Sequence, residues 1–199
     1  MLKIILNRSK PQAQKIIAEE QAGFRAGRST TQQLFILRIL CEKYFQYQQD
    51  LYHVFTDLKK TFDRVWHAAL WTTMTKYNIS VNLCDKAASA VLFNSIKGDR
   101  FRTMLELRQG CLLSLTLFNI FLERIMTDTL ENHEGTVRIG GRTINNLCFA
   151  DDIDGLAGEE EELAKLVERL DKASTAYGME ISAERTKVMT NNTVAPTRR

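Results

Sequence analysis

Asn145-Asn146-Leu147-Cys148-Phe149-Ala150-Asp151-Asp152-Ile153-Asp154-Gly155-Leu156 sets two short apolar-leaning runs on either side of an Asp-Asp pair. That pattern predicts a β-hairpin with an acidic tip, residues 145–149 on one strand and 153–156 on the other. Just upstream, residues 136–139 and 142–144 flank Gly140-Gly141, the composition of a two-residue hairpin loop. Hairpin-joined strands pair antiparallel, so this half of the chain points to an antiparallel sheet.

Working outward, helices alternate irregularly with the strands. Ser29-Thr30-Thr31-Gln32 has the form of a capping box, and Leu37, Leu40, Cys41 and Tyr44 then recur at helical spacing, which predicts a helix over about residues 30–48. Residues 51–58 are rich in aromatic and β-branched side chains without Gly or Pro, as a buried strand requires, and Asp57 falls near the end of it. Residues 63–77 read as a helix and residues 101–107 as a strand. Ser114 is placed to cap a further helix with the stripe Leu117, Phe118, Phe121, Leu122 and Ile125. After Gly158, the acidic residues 159–162 suit a helix N-terminus, Leu163, Leu166, Val167, Leu170 and Tyr177 supply its buried face, and Gly178 is placed to end it. The sum is an α+β domain, an antiparallel sheet with helices packed on one face. Its body is residues 18–191, with an aperiodic N-terminal edge over 1–17 and a polar, flexible tail over 192–199.

The bulk composition narrows the class without choosing the function. At 199 residues, with 44% apolar and 26% charged residues, the chain is of globular type and large enough to bury a core. A net charge of +3 is compatible with a nucleic acid partner and establishes none. Cys41, Cys84, Cys111 and Cys148 are widely spaced, with no C-x-x-C pair and no histidine at ligand spacing, so a zinc site is disfavoured and a reducing, intracellular compartment is expected. No apolar run approaches the roughly 18 residues of a membrane span.

Of 24 acidic residues, three are placed for chemistry: Asp57 at the expected strand end, and Asp151 and Asp152 at the hairpin tip. If those strands are neighbours, the three carboxylates converge. Carboxylates so placed repel one another, and hard divalent cations such as Mg²⁺ relieve the repulsion. Two such ions about 3.5–4 Å apart serve phosphoryl transfer. An Asp-Asp pair is also ordinary turn chemistry, so the pair alone decides nothing. The chain has no G-x-S-x-G elbow, P-loop or dinucleotide fingerprint, which leaves triad hydrolysis and P-loop hydrolysis unsupported.

Five blocks in order resemble the motifs of reverse transcriptases from non-LTR retrotransposons: Glu20-Gln21-Ala22-Gly23-Phe24-Arg25-Ala26-Gly27-Arg28-Ser29-Thr30, Asp57-Leu58-Lys59-Lys60-Thr61-Phe62-Asp63-Arg64-Val65-Trp66-His67, Arg108-Gln109-Gly110-Cys111, Phe149-Ala150-Asp151-Asp152 and Gly178-Met179-Glu180-Ile181-Ser182. The likeness covers about residues 18–191. It implies a polymerase palm with part of the fingers, the thumb lying outside this stretch. It also implies an RNA-directed DNA polymerase that adds deoxynucleotides to a DNA primer on an RNA template, without a membrane partner.

By the same resemblance, Asp57 and Asp151 hold two Mg²⁺ ions, for which Mn²⁺ can substitute, with Asp152 beside them. Phe62, which by residue type alone suits a core, stands where the family places a ring under the sugar of the incoming nucleotide. Gln109 and Gly110 match the contact to nucleotide and template. Arg25 and Arg28 match fingers residues that meet the triphosphate or template backbone, a task that guanidinium forks suit as well as they suit a solvated surface. Arg185 stands where relatives carry a Lys near the departing pyrophosphate, and Lys187 lies close by; an Arg supplies charge there rather than a proton. The sequence departs from the family at Leu115, in place of a usual Pro, at Thr61, in place of a usual Ala, and between positions 78 and 91, a stretch several residues short. These departures, with the thumb outside the stretch, leave a second expectation: a silent remnant that at most binds nucleic acid.

Overall fold

The computed structural model describes residues 2–79, 89–93, 96–101, 107 and 112–191. In chain order the elements are α1 (Leu2–Ile16), α2 (Thr30–Gln46), β1 (Tyr52–Asp57), α3 (His67–Lys76), β2 (Ser89–Phe93), β3 (Ile96–Phe101), α4 (Leu112–Leu130), β4 (Arg138–Ile139), β5 (Arg142–Thr143), β6 (Asn146–Phe149), β7 (Asp152–Ala157), α5 (Glu160–Ala176) and β8 (Lys187–Thr190). The main sheet runs β6-β7-β1-β8 and is antiparallel throughout. The α+β class with a palm-like antiparallel sheet stands as expected.

Both hairpins form. Gly140 and Gly141 turn the β4–β5 pair with φ of 56° and 83°, a conformation that a side chain would resist. The acidic hairpin pairs Asn146 with Gly155 through Phe149 with Asp152, and β1 lies on the other side of β7 with Asp57 opposite Asp152. Because side chains alternate across a strand, Asp152, Asp154 and Leu156 share one face of β7 with His53, Phe55 and Asp57 of β1.

The opposite face carries the core. Ile153, Leu58, Phe118, Phe121, Ile125 and Leu170 belong to one buried cluster in which α4 and α5 cover the sheet. α4 is apolar almost all round, with Leu113, Leu117, Ile120 and Leu122 buried as well, so it lies in the middle of the domain rather than on its surface. α5 is amphipathic: Leu163, Leu166 and Leu170 go down at i, i+3, i+7. At its start Glu162 accepts from the Gly158 amide at 3.2 Å, and Gly178 leaves the helix at φ 77°. α2 opens on the expected capping box and packs Leu40 and Tyr44 with Leu147, Leu156 and Val137, so it roofs part of the acidic face.

Several readings are refined. α3 begins at His67 rather than near residue 63, because the chain between β1 and α3 is occupied by turns, with Lys60 at φ 47°. Ser114 lies inside the first turn of α4 and is 5% exposed, so it is no N-cap; the apolar Leu112 and Leu113 are drawn into the helix ahead of it. The segment read as aperiodic forms α1, and Ala13 within it and Ile17 just after it are buried against the α4 core in spite of Pro11. β8 was not foreseen. β3 ends at Phe101, and residues 102–106, the rest of the expected strand, lie outside the described residues, as does most of the stretch between 78 and 91.

Candidate acidic centre

Asp57 closes β1 and Asp152 opens β7, and their register makes them a cross-strand pair, with Cα atoms about 5 Å apart. Asp151 is the residue before Asp152. Burial pushes the Asp152 carboxyl up from the ordinary range, and the nearby charges of Asp151 and Asp57 push it in the same direction. Such mutual repulsion marks a donor set suited to a hard divalent cation.

The three side chains nonetheless face different partners. Arg185 Nη1 donates to Asp57 Oδ2 at 3.1 Å, and Thr61 Oγ1 donates to Asp151 Oδ2 at 2.6 Å. As they stand, no group of three or more His, Cys, Asp or Glu among the described residues converges on a single metal position. The carboxylates are brought to one end of the sheet, and joint coordination requires the Asp57 carboxylate to leave Arg185, while the Thr61 bond to Asp151 Oδ2 leaves the other carboxylate oxygen open. By chemistry and placement the donor set fits a divalent ion.

The acidic turn is built by residues far away in sequence. Ala150 sits at φ 58°, a left-handed conformation that costs a non-glycine residue about 1–2 kcal/mol. Gln21, buried, holds that turn from both sides: its Nε2 donates to Ala150 O at 3.1 Å, and its Oε1 accepts from Ala150 N at 2.9 Å and Gly23 N at 2.7 Å. Ladder bonds join the same segment to β6, from Cys148 N to Glu20 O and from Ala22 N to Cys148 O. Gly23 lies so close that a Cβ there would stand 2.1 Å from Ala150 N. Asn119 of α4 donates to Gly23 O at 2.8 Å and completes the mount.

The end of β1 is fixed from the other direction. Lys59 N donates to Glu180 O and Ser182 N to Asp57 O, both at 2.8 Å. The Glu180 carboxylate takes Lys59 Nζ at 2.6 Å and Arg64 Nη1 at 2.5 Å, which hold it below its usual range. The blocks beginning at Glu20, Asp57, Phe149 and Gly178 therefore meet around the three aspartates.

Phe62 packs its ring 4.8 Å from the buried Phe118 and 6.3 Å from Phe24, which is 44% exposed, so it is rooted in the core and half-open to solvent. Arg25 is tied into the scaffold, donating to Gln14 Oε1, Ala18 O and Gln21 O, while Arg28 is exposed. Lys187 lies on β8 opposite Phe55, two positions from Asp57, and it is Arg185 that reaches the centre. Gln109 and Gly110 lie outside the described residues. Sequence reasoning passed over Gln21, and noted Thr61 only as a departure. A buried glutamine with long-range backbone bonds leaves no periodic trace, though Gln21 lies inside a quoted block.

A cleft of about 370 Å³ opens beside the carboxylates between α2 and the sheet, walled by Leu34, Leu37, Phe55 and Phe149 and reaching Asp57 and Asp152. A larger hollow of about 550 Å³, between α4 and the Ala18–Gln21 segment, holds none of the expected site residues.

Comparison with known proteins fixes the family. The family model for reverse transcriptase (RNA-dependent DNA polymerase) matches residues 1–196. Over 104 residues the chain is 31% identical to the retrovirus-related Pol polyprotein from type-1 retrotransposable element R2 of Popillia japonica, covering 49% of this chain and 17% of that protein. Over 62 residues it is 34% identical to a transposon-derived protein of Caenorhabditis elegans, covering 31% of this chain and 22% of that one. The alignments thus span about a fifth of the length of these curated relatives. Among solved structures, telomerase from Candida tropicalis in complex with a TWJ fragment of telomeric RNA has a TM-score of 0.72 at 15% identity, covering 96% of this chain and 34% of that one. Apo telomerase from the same species also reaches 0.72, at 13% identity, covering 96% and 37%. The structural likeness is one of fold; with the family match over nearly its whole length, the chain belongs to the reverse transcriptase (RNA-dependent DNA polymerase) family.

Proposed function

We propose that the chain is the palm and part of the fingers of an RNA-directed DNA polymerase, with Asp57, Asp151 and Asp152 as its acidic centre. One observation carries the reading: in a chain of this family, Asp57 and Asp152 face each other across two antiparallel strands with Asp151 adjacent. Asp57 and Asp151 would hold Mg²⁺, with Mn²⁺ as a substitute, and Asp152 would stand by as an accessory carboxylate. When bound, two such ions activate an attacking oxygen and stabilise a leaving one in phosphoryl transfer. The substrates are deoxynucleoside triphosphates on a DNA primer paired with an RNA template.

The protein's own share is positioning and charge. Phe62, backed by Phe118, presents a rigid ring edge suited to a sugar lacking a 2′-hydroxyl. Arg185, exposed and permanently charged, offers a cation to anionic phosphate oxygens once it leaves Asp57. Arg28 suits backbone or triphosphate contact from the fingers side. Arg25 acts through the segment that it braces.

The test is extension of a DNA primer on an RNA template by purified protein, wild type against Asp151→Asn. Loss of product in the variant is the expected result, and equal product from both removes the reading. A second reading, nucleic acid binding without synthesis, is favoured by the Arg185–Asp57 ion pair, because the guanidinium competes with a cation for that carboxylate. Salt-sensitive RNA binding with no Mg²⁺-dependent incorporation by the wild type would select it.

A further inference from the structure

The geometry points to Thr61 as a positioning residue that sets the Asp151 carboxylate for divalent cation binding, an inference that rests on Asp151 being a metal carboxylate. Thr61 is 5% exposed and sits in the turn after β1, which Lys60 enters at φ 47°. Its hydroxyl has one proton. Of the two acceptors within reach, Asp151 Oδ2 at 2.6 Å takes it, and Leu58 O at 3.4 Å is the outer contact. A hydroxyl-to-carboxylate bond of this length is of the strong, charge-assisted kind.

The main chain at Asp151 is already fixed, because Gln21 clamps Ala150 on both its N–H and its carbonyl. What the clamp leaves free is the rotation of the Asp151 side chain. Thr61 reaches it across 90 residues of sequence from the loop that follows Asp57, so the two metal carboxylates are referred to one short segment. The bond occupies one lone-pair direction of Oδ2 and leaves Oδ1 for a cation. Outer partners of this kind orient metal ligands, and losing one typically costs about 10–100-fold in affinity. An alanine at this position would leave the carboxylate free to rotate. The hydroxyl is thus a feature of this chain's own acidic centre.

The experiment titrates Mn²⁺ alone into the purified protein and reads free Mn²⁺ by electron paramagnetic resonance, with no nucleotide or primer present. Four variants are compared with wild type: Thr61→Val, Thr61→Ala, Thr61→Ser and Asp151→Asn, each checked for folding by its urea midpoint. Thr61→Val and Thr61→Ala should weaken binding by about tenfold, and Thr61→Ser should restore it to within about threefold, a rescue that loss of packing alone would not produce. Should valine misfold, the alanine variant carries the test. Binding by Thr61→Ala as tight as wild type or tighter, with Asp151→Asn weakened, overturns the role of Thr61 and leaves the acidic centre standing. Asp151→Asn equal to wild type overturns both.

Discussion

Gln21→Leu tests the clamp on the acidic turn. The substitution keeps the side chain's approximate bulk and removes all three bonds to Ala150 and Gly23. Two backbone N–H groups and one carbonyl lose their partner at a site where Gln21 is 5% exposed and Ala150 4%. Each orphaned buried group costs about 1–3 kcal/mol, so with partial relaxation the loss is about 3 kcal/mol. That is a large part of the roughly 5–15 kcal/mol by which domains are stable, and for a chain of this size it lowers Tm by about 6–12 °C. Calorimetry or circular dichroism on the two proteins measures it. The turn should also slacken, so Mn²⁺ binding should weaken along with stability. A Tm within about 2 °C of wild type would refute the clamp, since no arrangement that leaves three buried groups unpaired is so cheap.

Two further outcomes follow from individual environments. Burial pushes the Asp154 carboxyl above its ordinary value of 3.8, while His53, its Nδ1 3.4 Å away, pulls the other way and Cys41 lies near. The folded state therefore holds this proton more tightly than the unfolded one, and stability is lost as pH rises from near 4 through the raised value. Asp154→Asn should gain Tm relative to wild type between pH 4 and pH 7, and a constant difference across that range would refute the assignment. Phe62→Val should cost about 1–2 kcal/mol of stability and raise ribonucleotide incorporation relative to deoxynucleotide by about tenfold, read by single-nucleotide extension. Unchanged sugar preference would make Phe62 a core residue alone.

The parts of the fold that were legible in the sequence are those written as local patterns. The capping box at Ser29 and Gln32 forms with both its bonds, and the Gly140-Gly141 turn and the stripe of α5 stand where spacing put them. The acidic centre was legible because a strand end and a hairpin tip are both local, and the antiparallel register then set Asp57 opposite Asp152. What was not legible depends on partners remote in sequence. α1 carries Pro11 inside it, which argues against a helix on local grounds, and its Ala13 is buried in the cluster of α4. β8 carries the exposed residues Lys187, Val188, Met189 and Thr190, and is a strand only because β1 offers a free edge. The orientation of the carboxylates turns on single hydroxyl and guanidinium contacts, which no periodicity records.

Those remote contacts also decide how the centre can exist at all. The Asp151 turn rests on Gln21 from 129 residues away, its side chain on Thr61 from 90, and the end of β1 on Glu180 from 121. Ala150 at φ 58° carries a left-handed cost of about 1–2 kcal/mol, and the hairpin's own ladder is supplemented there by the two bonds from Gln21. The carboxylates are therefore brought together only when the whole sheet has closed and the segment after α1 has docked on β6. Loop-closure entropy grows slowly with length, so the wide spacing of the blocks along the chain costs little once the shared core of α4 and α5 has formed. The acidic centre is a property of the closed domain rather than of any one block, and so an intact Asp-Asp pair is informative only together with its clamp.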